Sequence, residues 1–476
     1  MLNASEDRDR NVIPRWRSFG AALAFDELST SLPNGKPDHG QLRQQLDEWR
    51  KSTVPSVTQA CDLLSVAFSC GLGNEATDVA EFILKQDASL GWAKIVATKI
   101  TTPEATSREE LLKQYPIWDI ETLSTSIGDA RRRLRQHPLN PVLWTNLALG
   151  YTTLGLTRKA HRAIITATSL APSNRFVLRA ASRFFLHIGD FERAHDILRR
   201  APNVKADPWV LAAELANARV RRRTSGLVRN ARSLASSQSF SPKHLSELNA
   251  ALATLEAAAG SNRKARDYSI KALKTPTDNA VAQTTWLARN TGVPIPIPAD
   301  IRLKSSEAIA WQARREHDWP MALAAAKAWQ GEQPFSSRPA YLGGWVASIS
   351  EDFFSAEQIW RIGHIGNPDE IMLANNLVFA LAKQNKVEEA KGLLDRISIS
   401  KASVSERVCL LATEGLVDFR CGNSAGGSRG YQQAIRLAEE SELPRLAAIA
   451  RVYLAIEEGL SKTCLLYTSP SPRDRG

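Results

Sequence analysis

The chain has 476 residues, with 61 Lys+Arg against 50 Asp+Glu, a formal net charge of +11, 43% hydrophobic residues and five cysteines. That hydrophobic share excludes gross disorder, and at roughly 100 to 200 residues per domain the length predicts about three domains. No apolar run approaches the ~18 residues of a membrane span, and the opening MLNASEDRDRNVIPRW has no apolar signal core, so a soluble cytoplasmic protein with no membrane partner is expected. Cys61, Cys70, Cys409, Cys421 and Cys464 form no CxxC pair, which speaks against a disulfide framework or a zinc site.

In chain order, residues 1–52 read as an irregular lead-in with one helix around Gln41–Lys51, and 53–136 as divergent helical hairpins, among them Ser56–Leu84 with CGLGNEA as its turn. A period emerges in 137–292. Pro141–Asn174 places Trp144, Leu147, Ala148, Tyr151, Gly155, Ala160, Ile164, Ala167 and Pro172 at spacings that the next 34 residues repeat with Leu178, Ala181, Ser182, Phe185, Gly189, Ala194, Leu198 and Ala201. Two amphipathic helices can meet through the small residues, the large ones fill the gap, glycine suits the turn, and Pro172 stops the second helix. Ser246–Pro276 is a degenerate hairpin of the same kind. The segment 293–304 is a proline-rich connector: VPIPIPAD, Val293–Asp300, alternates proline with apolar residues and is expected to be extended, joining two arrays. In 305–463, Ser305–Trp329 is another degenerate hairpin, Ala356 and Ala390 are again 34 apart, and Gly422, Gly427, Tyr431 and Ala434 mark a further unit. Leu443–Leu460 reads as a first helix without a second.

These residues resemble the tetratricopeptide repeat (TPR) family, strongly over Pro141–Ala201 and fairly over Ser337–Ile397. The resemblance implies an all-α fold, a right-handed superhelical solenoid of TPR-like helical hairpins in two arrays. It also implies that first helices line a concave groove and that Thr145, Asn146, Arg179, Arg183, His187, Asn375, Asn376 and Lys383 face a ligand there. Asn146 and Asn376 hold a position where an amide can both donate to and accept from a peptide backbone. Ala180 holds the equivalent place between them, so the asparagines form no continuous ladder. Arg179 and Arg183, one turn apart, suit a carboxylate or phosphate, or else form a solvated face.

No phosphate-binding glycine loop, HExxH or nucleophile elbow is present, so no catalytic residue, cofactor or metal site is expected. His161 and His195 share a repeat position, but stacked hairpins would hold them about 10 Å apart, too far to share a zinc. Both are expected to be exposed. The triplets Arg131–Arg133 and Arg221–Arg223 could meet nucleic-acid phosphates, yet no aromatic alternation accompanies them, which favours solvated helix faces. Trp144, Trp209, Trp286, Trp311 and Trp360 fall at core spacing. The expected function is a non-enzymatic protein–protein interaction scaffold that binds an extended peptide or protein segment in its groove. The alternatives are a basic helical-repeat protein associating with RNA or DNA, and the regulatory or sensor part of a larger truncated enzyme.

The last residues, 464–476, read CLLYTSPSPRDRG and break from the helical text before them. They resemble the translation of a sequencing-library adapter over Cys464–Asp474, so natural sequence is expected to stop near Thr463.

Overall fold

From Asn140 to Ser305, each first helix begins where a short polar side chain caps it. Asn140, Asn174, Asp207, Ser241, Thr277 and Ser305 each accept a hydrogen bond from a backbone N–H in the first turn that follows, satisfying donors the helix leaves open. Pro141, Pro208 and Pro242 occupy the first helical position, where no N–H is needed. The computed structural model describes residues 10–17, 39–53, 55, 57, 59–60, 63–64, 67, 73–85, 97, 100–101, 120–136, 138–237 and 239–468. Among them every regular element is a helix.

The helices follow in order as α1 (His39–Arg50), α2 (Thr77–Leu84), α3 (Ile120–Gln136) and then the hairpins α4 (Pro141–Thr153) with α5 (Thr157–Leu170), α6 (Arg175–His187) with α7 (Phe191–Arg199), α8 (Pro208–Val220) with α9 (Val228–Ser236), and α10 (Pro242–Ala258) with α11 (Asn262–Ala272). Next come α12 (Asp278–Asn290), the single turn α13 (Ala299–Arg302) and the hairpin α14 (Ser306–Arg315) with α15 (Trp319–Glu332). The remaining hairpins are α16 (Ser337–Ile349) with α17 (Phe353–Gly366), α18 (Ile371–Lys383) with α19 (Val387–Leu394), and α20 (Val404–Arg420) with α21 (Ser424–Glu440), before a last helix α22 (Pro444–Thr468). The chain is thus an all-α solenoid of helical hairpins. It divides into two compact units, Ala4–Gln333 and Pro334–Gly476.

The turn inside each hairpin needs one residue in the left-handed region. Gly155 and Gly189 supply it at φ +66° and +77°, at no steric cost. Arg222, His317, Glu351 and Asn385 do the same work with side chains, at φ between 54° and 59°. Small residues then let the paired helices close: Ala148, Ala160, Ala181, Ala194, Ala356 and Ala390 are fully buried. Successive repeats are tied by polar contacts as well. The buried Arg175, first in α6, donates to the Asp207 carboxylate that caps α8, with Nε 2.8 Å from Oδ2, and Asn217 of α8 donates to Ser182 of α6 and to the Ala194 carbonyl of α7.

Residues 292–298 carry no regular structure, in keeping with their alternating prolines, whereas Asp300 lies in the short α13. Ile295, Ile297 and Ile301 pack on Leu273, Val281 and Ala308, so this segment covers the end of α11 together with α12 and α14 inside the Ala4–Gln333 unit. The CGLGNEA turn is described only over its last four residues, which form a 3-10 turn. Cys61, Cys70 and residues 469–476 lie outside the described residues. On α22, Val452, Ile456 and Leu460 are exposed at helical spacing. No helix among the described residues is long and apolar enough to cross a membrane.

Gly363 of α17 fits against Ala340 of α16, and a Cβ there would fall well inside contact distance of the Ala340 methyl, with Leu373 at 3.6 Å behind it. Alanine normally stabilises a helix interior over glycine by about 1 kcal/mol, but here two helices must move apart. Gly363→Ala is expected to lower stability by about 1–3 kcal/mol in denaturant titrations.

Candidate functional site

The first helices α6, α8, α10, α12 and α14 neighbour one another in the Ala4–Gln333 unit, and residues 10–17, Arg-Asn-Val-Ile-Pro-Arg-Trp-Arg, lie against them without regular structure. Two apolar side chains anchor the segment. Val12 enters a cluster made by Leu211 and Leu215 of α8, Leu245, Leu248 and Leu252 of α10 and Ala280 of α12. Trp16, 0% exposed, meets Phe184 of α6 edge to face with ring centroids 6.3 Å apart. A buried tryptophan and valine together supply several kcal/mol of hydrophobic attachment, on the scale of about 1.5–3 kcal/mol per large apolar side chain.

Amides from one helix hold the segment's backbone. Asn279 Nδ2 donates to the Ile13 carbonyl and Gln283 Nε2 to the Arg10 carbonyl, each at 3.0 Å. The oxygens of the same two side chains accept from the Arg10 guanidinium. Asn279 and Gln283 are the second and sixth residues of α12, four apart and therefore on one face. Glu307 is likewise second in α14, and Glu247 sixth in α10.

Carboxylates complete the site. Glu307, 2% exposed, takes both Arg10 Nε and Nη2 at 2.9 Å, a two-pronged pairing, and accepts from Arg15 Nη2 at 2.7 Å as well. Asp278 pairs with Arg15 and Arg17, and Glu332 with Arg17 at 2.8 Å. Glu307 and Asp278 stand in the first turns of their helices, where the helix dipole favours negative charge. Burial pushes the Asp278 carboxyl up, but the Arg17 and Arg15 guanidiniums outweigh it and hold the group below its ordinary value.

The residues singled out by the repeat pattern take varied places. Thr145 is buried and donates to the Pro141 carbonyl of its own helix; Asn146 and His187 are half-buried. Arg179 is buried, paired with Glu247 at 2.7 Å and lying over the Trp209 ring at 4.6 Å, and Arg183 is buried beside it on α6. Asn375 and Asn376 are buried on α18, and Lys383 pairs with Glu457 at 3.0 Å while standing over Phe379 and Tyr453. Those last three belong to the other compact unit. Sequence reasoning passed over Arg10, Val12, Arg15 and Trp16 because they lie in what reads as an irregular lead-in. The signal available was three arginines interleaved with apolar residues ahead of helices whose first turns carry acids.

His195 is not exposed as expected. It is buried, with Nε2 2.9 Å from Glu214 Oε1 and Nδ1 2.7 Å from Arg221, because α7 packs it under α8. Ser225 Oγ donates to the other Glu214 oxygen at 2.6 Å. The glutamate sits between serine and histidine, so this hydrogen-bonded relay differs in order from a Ser–His–acid triad, in which the histidine contacts the serine. Arg221 is held by this relay and by Glu192, whereas Arg131–Arg133, Arg222 and Arg223 are exposed on helix surfaces and a turn. His161 is half-buried against Phe184 and Phe185. No group of three metal-ligating side chains occurs among the described residues.

No protein-family model matches the chain, and no curated protein matches it. Among solved structures, the human IFIT1 dimer with PPP-AAAA is similar at 14% identity, covering 93% of this chain and 97% of that one with a TM-score of 0.31. Yeast Tom70 is similar at 10% identity, covering 86% of this chain and 94% of that one with a TM-score of 0.28.

Two outcomes test the site. Glu307→Ala leaves Arg10 and Arg15 without their shared carboxylate, and removing one partner of a buried pair costs about 3–5 kcal/mol; urea titration is expected to show a loss approaching that size, and a loss under about 0.5 kcal/mol would contradict the geometry. For Asp278, whose folded value is depressed, the stabilisation is fully present above the ordinary 3.8 and is lost as pH falls through the folded value. The stability gap between the parent and Asp278→Asn is therefore expected to stay constant from neutral pH to about pH 5 and to shrink only below about pH 4.

Proposed function

We propose that this protein is a non-enzymatic interaction scaffold that binds a non-helical segment of a partner protein in the groove lined by α6, α8, α10, α12 and α14. The observation that carries this reading is the amide clamp: Asn279 and Gln283 donate to two backbone carbonyls three residues apart, contacts that any residue at those two places could accept, while their oxygens take the Arg10 guanidinium. Backbone hydrogen bonds of this kind give affinity for a chain as such, while pockets between them give selectivity. The Val12 and Trp16 sites are pockets of that sort.

Panning a random peptide display library on the chain carrying Arg10→Ala and Arg15→Ala, which loosen the internal segment, tests the reading. Selected peptides are expected to compete with one another for one site and to lose tenfold or more in affinity when Asn279→Ala and Gln283→Ala are added. Peptides whose binding ignores those two amides would count against the groove as the site.

A further inference from the structure

The chemistry of residues 10–17 defines what the groove selects. Glu307, Asp278 and Glu332 face Arg10, Arg15 and Arg17, three carboxylates against three guanidiniums in surroundings that exclude most water. Without the segment, those carboxylates would lose the guanidiniums that neutralise them, and the leucines around Val12 and the Phe184 ring would lose their apolar cover. A ligand that relieves this must bring positive charge in planar, two-pronged form, because Arg10 grips Glu307 through both Nε and Nη2 while Arg15 takes the same carboxylate from another side. Guanidinium meets that geometry and lysine, a point charge, does not. The spacing is fixed as well: arginine, an aliphatic residue two further on, then arginine, aromatic, arginine at the fifth, sixth and seventh places beyond the first. A nucleic acid would set its phosphates against the same three acids.

From this we infer that the groove is a receptor for an arginine-rich segment of a partner protein, and that residues 10–17 are the internal occupant such a segment displaces. The inference rests on the reading of the groove as a peptide site and adds the chemistry and the regulation of that site. A tethered occupant acts at an effective concentration in the millimolar range. The intact chain therefore resists a free ligand of similar contacts by orders of magnitude, and only a partner that binds more tightly, or is itself held close, opens it.

Fluorescence anisotropy with the labelled octapeptide RNVIPRWR tests the proposal on the full chain and on the Arg10→Ala/Arg15→Ala variant. The variant is expected to bind the octapeptide at least tenfold more tightly than the parent, and adding Glu307→Arg is expected to abolish that gain. Because the double variant leaves Glu307 without those two partners and can fail to fold, a second preparation carries a protease site placed between Ser18 and Asp38 and is cut after folding. There the N-terminal fragment is expected to stay bound until excess octapeptide displaces it, while a peptide with all three arginines changed to glutamate, and a single-stranded oligonucleotide, leave it in place. Equal displacement by the glutamate peptide, or by an uncharged one, would overturn the arginine preference and leave the peptide groove standing. Displacement by the oligonucleotide alone would assign the site to nucleic acid. A fragment that no peptide displaces, together with a variant that binds none, would remove both the inference and the reading beneath it.

Discussion

One buried carboxylate organises the Ala4–Gln333 unit: Glu307, reached by Arg10 and Arg15 across nearly three hundred residues of sequence. An ionised glutamate cannot be taken out of water alone, since the desolvation penalty runs to several kcal/mol even after relaxation. It must be met by cations, and those come from residues 10–17, which precede the first described helix. With the guanidiniums fixed there, the backbone between them passes over α12, where Asn279 and Gln283 take its carbonyls, and Val12 and Trp16 are brought to their pockets. The charge pairing, the amide clamp and the apolar anchors are thus one interaction in three parts.

Elsewhere in a helical-repeat stack each hairpin touches only its neighbours, and stability is a sum of local terms. Residues 10–17 break that locality. They join α6 to α14 inside one unit, so that the first helices share a common contact instead of a row of pairwise ones. The same segment that completes the core also covers one side of α6, α8, α10, α12 and α14. Binding and folding are coupled wherever a ligand must displace part of the core it binds beside.

Much of the fold was legible in the residues, and the reason lies in the turns. Where glycine supplies the left-handed residue, as at Gly155 and Gly189, the repeat stands out in the text. Where Arg222, His317, Glu351 or Asn385 takes the same backbone conformation, the hairpin forms just as well but its turn carries no glycine to mark it. The candidate-site residues were less legible. The family resemblance implies which positions of a first helix face a ligand, and the second and sixth places of α12 face residues 10–17 as Asn279 and Gln283. It singled out Asn146 and Asn376 at the sixth place of their own helices and did not extend to α12. Arg179 illustrates the other gap: as sequence it offers a free positive charge, whereas in the structure Glu247 and Trp209 enclose it. A pairing 68 residues long, or 297 for Arg10 and Glu307, leaves no local trace.

The central claim is that residues 10–17 lie within the fold, and tryptic cleavage of the native full chain tests it most directly. Mass spectrometry would follow cleavage after Arg10, Arg15 and Arg17, with Arg222 and Arg223, exposed in the turn between α8 and α9, as an internal reference for an open site. The account predicts that the three N-terminal sites are cut far more slowly than the reference and only as the unit unfolds. Cleavage there at the rate of the exposed turn, with α4–α15 intact, would contradict it.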